Sequence, residues 1–245
     1  MELARYKVIL AYDGSAFSGL QRQAKGRSVQ AVVEAALRPL GWQGASVLAA
    51  GRTDAGVHAS GQVIAFDLAW GHSPAELLKA LNAGLPADVA AQEAGVAAAD
   101  FHPRYGAKLR CYEYRLFCEP LRDPLRERYA WQVWPPVKLS RLHSAARALR
   151  GEHDFAAFGS PPKAGGSTVR KVRQASWRKE GEDEFVFIVK ANGFLYHMVR
   201  KMVGLQVKVG QGTLDLGSVE QALRVRNKVR QLAPPQGLCL VAVEY

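Results

Sequence analysis

Apolar residues along this chain change their spacing repeatedly, from alternation to a helical period and back, and this limits the possible folds more than any single motif does. Tyr6-Lys-Val-Ile-Leu-Ala-Tyr12 is a β-type run broken at Asp13-Gly14, and the glycine-containing stretch to Arg27 reads as a surface loop. Ser28 then offers an N-cap, and Val29, Val32, Val33, Ala36, Leu37 and Leu40 form a 3.6-period stripe that stops at Gly41. A loop over Gly51 to His58, a strand over Gln62 to Leu68, and a helix opened by Ser73-Pro74 and closed at Gly84 complete a β-α-β-α order.

A similar order recurs further on. Cys111 to Phe117 alternates with Tyr112 and Tyr114 on one face, and the proline-containing segment Glu119 to Val137 reads as an ordered excursion. Leu139 to Leu149 has helical spacing and stops at Gly151. Thr168 to Arg178 and Glu184 to Ala191 alternate like antiparallel strands around the acidic turn Glu180 to Asp183, and a helix is predicted from Phe194, after Asn192-Gly193. The expected class is therefore α+β: two ferredoxin-like, RRM-like halves, residues 1–105 and 106–245, with mainly antiparallel sheets side by side and a central active-site cleft.

Charge divides along the same line. Residues 1 to 100 carry 8 bases and 9 acids, a net of minus 1, whereas residues 101 to 245 carry 25 and 13, a net of +12. So polarised a chain attracts a polyanion, which points to nucleic acid bound through the second half. The apolar stretches fall far short of the roughly 18 residues that a membrane span needs, and the first residues lack a signal-peptide pattern, so a cytoplasmic protein is expected. Cys111 and Cys118, about 24 Å apart along one strand, form neither a disulfide framework nor a zinc knuckle with Cys239.

Gly51-Arg-Thr-Asp-Ala-Gly-Val-His-Ala59 is the most unusual local sequence, because it packs an acid and two potential cations into a glycine-bracketed loop. An Asx-turn in which Asp54 bonds its own backbone ahead of Gly56 is the plainer reading. The loop lacks the lysine and further glycines of a phosphate-cradling loop, the six histidines show no metal-hydrolase spacing, and no serine sits in Gly-x-Ser-x-Gly. On the helix from Phe194, Arg200 flanks a face made by Leu195, Met198, Val199, Met202, Gln206 and Val209; it serves either as cover for the core or as the partner of a carboxylate.

At Gly51 to Ala59 the sequence resembles the signature loop of the TruA-type tRNA pseudouridine synthases, and the likeness runs nearly end to end. Tyr12-Asp-Gly-Ser-Ala-Phe-Ser-Gly, Ser28-Val-Gln, Phe101-His-Pro-Arg, Arg110-Cys-Tyr-Glu-Tyr-Arg, Gly151-Glu-His-Asp-Phe, Thr168-Val-Arg, Gly193-Phe-Leu-Tyr-His-Met-Val-Arg-Lys-Met-Val-Gly and Ala233-Pro-Pro-Gln-Gly-Leu-Cys-Leu follow in the family's order. Leu20 departs from an expected tryptophan and Pro103 from an alanine. Both stand off the reacting loop, which bears on RNA contacts rather than chemistry.

The resemblance implies isomerisation of uridine to pseudouridine in the anticodon arm of tRNA, at the neighbouring positions 38, 39 and 40, by a homodimer with no cofactor and no metal. Asp54 matches the family's nucleophile; attack on ribose C1′, addition to uracil C6 and removal of the C2′ proton all remain open to it. Arg200 matches its ionic partner, Tyr112 the active-site tyrosine that stacks on the base, and Arg52 the residue that fills the space left by the flipped uridine. His58, Arg170 and Lys171 are further candidate substrate contacts. An RNA-binding module without catalysis has no use for the loop acid, and a glycosidase needs a second carboxylate at roughly 5 to 9.5 Å.

Overall fold

The computed structural model describes residues 2–161, 165–225 and 228–245. In chain order the elements are β1 (Leu3–Tyr12), α1 (Val29–Leu37), β2 (Leu48–Ala49), β3 (His58–Ala69), α2 (Pro74–Gly84), β4 (Val89–Val96), β5 (Leu109–Phe117), β6 (Trp131–Gln132), α3 (Leu139–Arg147), β7 (Gly151–Asp154), β8 (Val169–Glu180), β9 (Glu184–Ala191), α4 (Met198–Gly210), α5 (Ser218–Val225) and β10 (Leu238–Glu244). They divide into two compact units, Met1–Lys108 with Leu240–Tyr245, and Leu109–Cys239. The expected α+β class is what the chain forms, and strand pairing within each unit is mainly antiparallel.

In the first unit the strand order is β4-β1-β3-β10, with the short β2 added to β3. Period-2 alternation sets which face of β1 is buried: Tyr6, Val8, Leu10 and Tyr12 point inward. Leu10 shares a small apolar cavity with Val29 and Val33 of α1 and Ile64 of β3, which seats α1 on this face. Each such fully buried Val or Leu contributes about 1.5–3 kcal/mol of transfer free energy. Ser28 caps α1, its Oγ accepting from Ala31 N at 3.3 Å, and the chain tightens over Arg38–Leu40 before Gly41 ends it at φ +90°. Ser73 and Glu76 form a complete capping box on α2, which has the bounds its sequence predicts.

The β1–β3 register slips between Leu10 and Tyr12, where Leu10 faces Gln62 but Tyr12 faces Ala59. Between these pairs one residue of β1, Ala11, therefore opposes two of β3, Ser60 and Gly61, a bulge close to where β3 leaves the Gly51–Val57 loop. Gly61 sits at this bulge, where a Cβ would collide with the Val241 backbone of β10. Expected to start at Gln62, the strand begins at His58, because pairing with β1 continues past the bulge.

The second unit orders its strands β5-β9-β8-β7, with β6 parallel to β5. The rings of Trp177 and Phe187 meet at 5.2 Å, tilted by 35°, and Trp177 Nε1 donates to Oε1 of the fully buried Gln206 at 2.8 Å, tying α4 to the sheet. One expectation is corrected here: α4 begins at Met198, not Phe194. Tyr196 is held in an isolated bridge to Ser160, and His197 adopts the left-handed conformation (φ 64°, ψ 3°), so helical backbone cannot start earlier. Among the described residues no helix is long and apolar enough to cross a membrane.

Candidate active site

Asp54 lies on the connection from β2 to β3, and hydrogen bonds from one side chain and three main-chain amides clamp this connection along its length. Gln62 Nε2 donates to Gly51 O at 3.0 Å, Leu20 N to Thr53 O at 3.1 Å, Val57 N to Asp54 O at 3.2 Å, and Gly56 N to Phe17 O at 3.3 Å. The turn at Asp54 is thus closed main chain to main chain, with Gly56 at φ +76° where an L side chain is strained. Thr53 is buried, Asp54 half-buried and Arg52 exposed, so the acid stands at the edge of the interior on a backbone that cannot drift. Leu20, expected off the reacting loop, is buried against it and holds it through its amide.

Behind the loop, Tyr12 Oη and Thr53 Oγ1 are 2.8 Å apart in a buried contact. The 14–19 segment packs so closely that a Cβ on Gly19 (φ +106°) would lie 2.7 Å from Thr53 O, and one on Gly14 would collide with Val57 O. His58 supports the same place from within: Gly14 N donates to its Nδ1 at 3.0 Å, which puts the ring proton on Nε2. Asp13 Oδ1 also approaches Nδ1, at 3.2 Å. Asp13 accepts from Ser15 N at 2.9 Å as well, capping a single 3₁₀ turn.

In the second unit Tyr112 lies on β5 opposite Val189 of β9, only 8% exposed, with its ring edge-on to Phe194 at 5.1 Å and 85°. Arg200, half-buried in the first turn of α4, donates through Nε to Ala233 O at 2.8 Å, while Ala233 N donates to Arg200 O at 3.1 Å. These two bonds fix the guanidinium's direction from both backbone and side chain. Tyr114, next along the Tyr112 face, donates to Pro234 O at 2.8 Å; burial pushes its phenol up, partly offset by the positive charge of Arg200. Gly237 makes room for that ring, since a Cβ there would lie 2.7 Å from Tyr114 Cζ.

Arg110, Ala191 and Val172 stand in register across β5, β9 and β8, and Arg170 and Lys171 lie just beyond that line. A bulge between Val172 and Gln174 redirects β8 there, and Asn192 clasps it, accepting from Lys171 N at 3.0 Å and donating its own N–H to Lys171 O at 3.2 Å. Arg170 donates to Ser167 O and Val169 O, and burial pulls its pKa down. Lys201, half-buried on α4, is pulled down by burial and then by Lys228. Arg170 and Lys171 bring positive charge to this strand end, which suits an anionic ligand, with Glu152 opposite Lys171 in the β7–β8 register as the neighbouring acid.

The structure places Arg52, Asp54 and His58 on one segment of the first unit, and Tyr112, Arg200, Arg170 and Lys171 around the β5–β9–β8 strand ends and α4 of the second. Sequence reasoning missed the Tyr12–Thr53 contact, the clamp from Gln62, and the turn at His197. Gln62 did leave a signal, a polar residue at an inward position of an apolar strand; His197 left none, because its backbone is set by the bridge at Ser160.

The family model for tRNA pseudouridine synthase matches residues 8–106 and 145–245. Relatives named tRNA pseudouridine synthase A include those of Moorella thermoacetica, 44% identical over 247 residues with 98% of each chain covered, and Limosilactobacillus fermentum, 39% identical over 98% of this chain and 96% of the relative. That of Myxococcus xanthus is 40% identical over 99% of this chain and 92% of its own. With both halves matched by the family model and the relatives aligned nearly end to end, this chain belongs to the tRNA pseudouridine synthase family.

Proposed function

We propose that this chain isomerises uridine in the anticodon arm of tRNA, at positions 38, 39 and 40, with Asp54 as the reacting carboxylate. The C1′–N1 bond breaks, the uracil turns, C5 bonds to C1′, and the C5 proton is lost while N1 regains one, so no atom is gained or lost overall. The observation that carries this reading is the clamped loop: three backbone–backbone hydrogen bonds and one from the Gln62 side chain, between Gly51 and Val57, hold the main chain that carries a half-buried carboxylate. Rigid placement of a nucleophile can supply several kcal/mol of the barrier, about 7–11 in the best intramolecular cases.

The other residues take roles that their surroundings support. Tyr112, edge-on to Phe194, offers a ring for stacking on the uracil. Arg200, aimed by Ala233, takes the role that the family resemblance gives it, the planar cation offered to the reacting carboxylate. Arg52, exposed beside the acid, fills the gap left by the flipped uridine. Arg170 and Lys171 hold backbone phosphates. His58, buried, serves the substrate indirectly by holding the Gly14 turn against the loop. The working form is a cytoplasmic homodimer, tested by sedimentation of the purified protein.

The deciding experiment is base-resolved mapping of pseudouridine in tRNA incubated with the parent and with Asp54→Asn. The reading requires pseudouridine at positions 38 to 40 with the parent and none with the variant. Free uracil released by the parent instead would make the chain a glycosidase.

A further inference from the structure

Phe101-His-Pro-Arg is a motif that the proposed chemistry leaves without a task. It forms a tight turn after β4, closed by Gly106 N donating to His102 O at 2.9 Å. The imidazole of His102 is locked inside it: Arg104 N and Tyr105 N both donate to Nδ1, at 3.1 and 3.4 Å. On that fixed ring lies Tyr105, with centroids 4.3 Å apart and planes at 40°. Tyr105 is nevertheless 77% exposed, and the guanidinium of Arg104 lies 5.8 Å from its centroid.

An exposed tyrosine is unremarkable on a flexible loop, but this turn is anchored on several sides. Arg5 Nη1 donates to Phe101 O at 2.6 Å, Tyr245 Oη donates to Pro103 O at 2.9 Å, and the rings of Phe101 and Tyr245 meet at 5.0 Å. Lys7 sits over Tyr245, its Nζ 4.7 Å from the centroid. The first unit thus holds an aromatic pair at its surface in one orientation, with the cations Arg104 and Lys108 exposed beside it. A ring held this way loses little conformational freedom when a second flat ring stacks on it.

We infer that Tyr105, backed by His102, is a stacking platform for an unpaired nucleobase of the RNA substrate. This inference rests on the tRNA reading above. A base fits better than an apolar protein surface, because cations flank the ring and a nucleotide brings both a π-face and a phosphate. It also supplies what net charge cannot: residues 1 to 100 net minus 1, and Arg104, Lys108 and Glu244 bring the whole unit only to zero, so RNA contact with it has to draw on something other than bulk electrostatics.

The test is titration of labelled tRNA at several salt concentrations with the parent, Tyr105→Ala, Tyr105→Phe and Tyr105→Trp. Base–aromatic stacking is worth about 1–3 kcal/mol, so Tyr105→Ala should weaken binding about fivefold or more. Its dependence of log affinity on log salt should match the parent's, since no phosphate contact is removed. Phe and Trp should bind within about twofold of the parent. Melting curves confirm that the exposed substitution leaves the fold intact. Parental affinity in Tyr105→Ala overturns the inference, as does a flattened salt slope, which would make the contact ionic. So does a change in oligomeric state, which would make the ring a contact between copies. If the parent itself fails to bind tRNA, the functional reading falls instead.

Discussion

The phenolic oxygen of Tyr12 and the hydroxyl of Thr53 lie 2.8 Å apart, both buried, at the residue immediately before Asp54. The contact joins the bulged end of β1 to the loop that carries the acid, so the two should act as a unit. Thr53→Val takes this partner from a buried phenol and should cost about 1–3 kcal/mol of stability. Tyr12→Phe with Thr53→Val removes both polar groups and should recover most of that loss. Turnover should stay down by roughly tenfold to a hundredfold in the double variant, with KM unchanged, because the loop has lost its anchor. Thr53→Ser should retain activity. Denaturant titration alongside single-turnover assays separates the two effects; activity recovering together with stability would reduce the contact to a packing role.

Asp54→Asn should abolish isomerisation while leaving tRNA affinity within about threefold, since on the proposed reading it removes the reacting carboxylate and no phosphate contact. Quantifying pseudouridine in a single turnover checks the first part, and filter binding the second. Turnover within tenfold of the parent would show that the reacting group lies elsewhere.

Arg200→Lys should fail despite conserving charge. Its Nε is spent on Ala233 O, which orients the remaining fork, and lysine cannot keep that bond and present a planar pair of donors together. A loss of about 2 kcal/mol, roughly thirtyfold in kcat/KM, is expected. Near-parental turnover would leave Arg200 as cover for the α4 core.

Neutralising Arg170, Lys171 and Arg173 together should flatten the dependence of log affinity on log salt by about one unit per lost phosphate contact. Arg170 and Lys171 sit at a bulge clasped by Asn192, and Arg173 is exposed beside them. The same number of basic changes among residues 1 to 100, outside Arg52, should flatten the slope less. Equal slopes for the parent and the triple variant would show that this edge is only solvated.

The Arg27–Asp88 pair makes a pH prediction for stability. Arg27 donates to both Asp88 oxygens, Nη2 to Oδ1 at 2.9 Å, and these bonds hold the Asp88 carboxyl below its ordinary value. A carboxylate lowered by folding lends stability above its unfolded pKa, about 4, and loses it as pH falls through the folded value. Asp88→Asn should therefore cost stability at pH 7 and progressively less below pH about 4. Denaturant midpoints for parent and variant across that range should converge on the acid side; a constant gap would trace the loss to packing.

By itself the sequence determined the elements whose signals are local. Ser73-Pro74 with Glu76 and Gly84 set both ends of α2, since a capping box and a stop are written in neighbouring residues. Alternation marked β8 and β9 around their acidic turn, and the motifs in order marked the family and its candidate acid. Tertiary structure decided what depends on residues distant in the chain. Helix α4 starts four residues later than its apolar stripe suggests, because Ser160 captures Tyr196 and leaves His197 in a left-handed turn. Leu240–Tyr245, last in the sequence, joins the first unit. The rigidity of the Asp54 loop comes from Tyr12, Phe17, Leu20 and Gln62, none of them adjacent to it. Hydrogen bonds across such separations follow from packing, and no local pattern of residues records them.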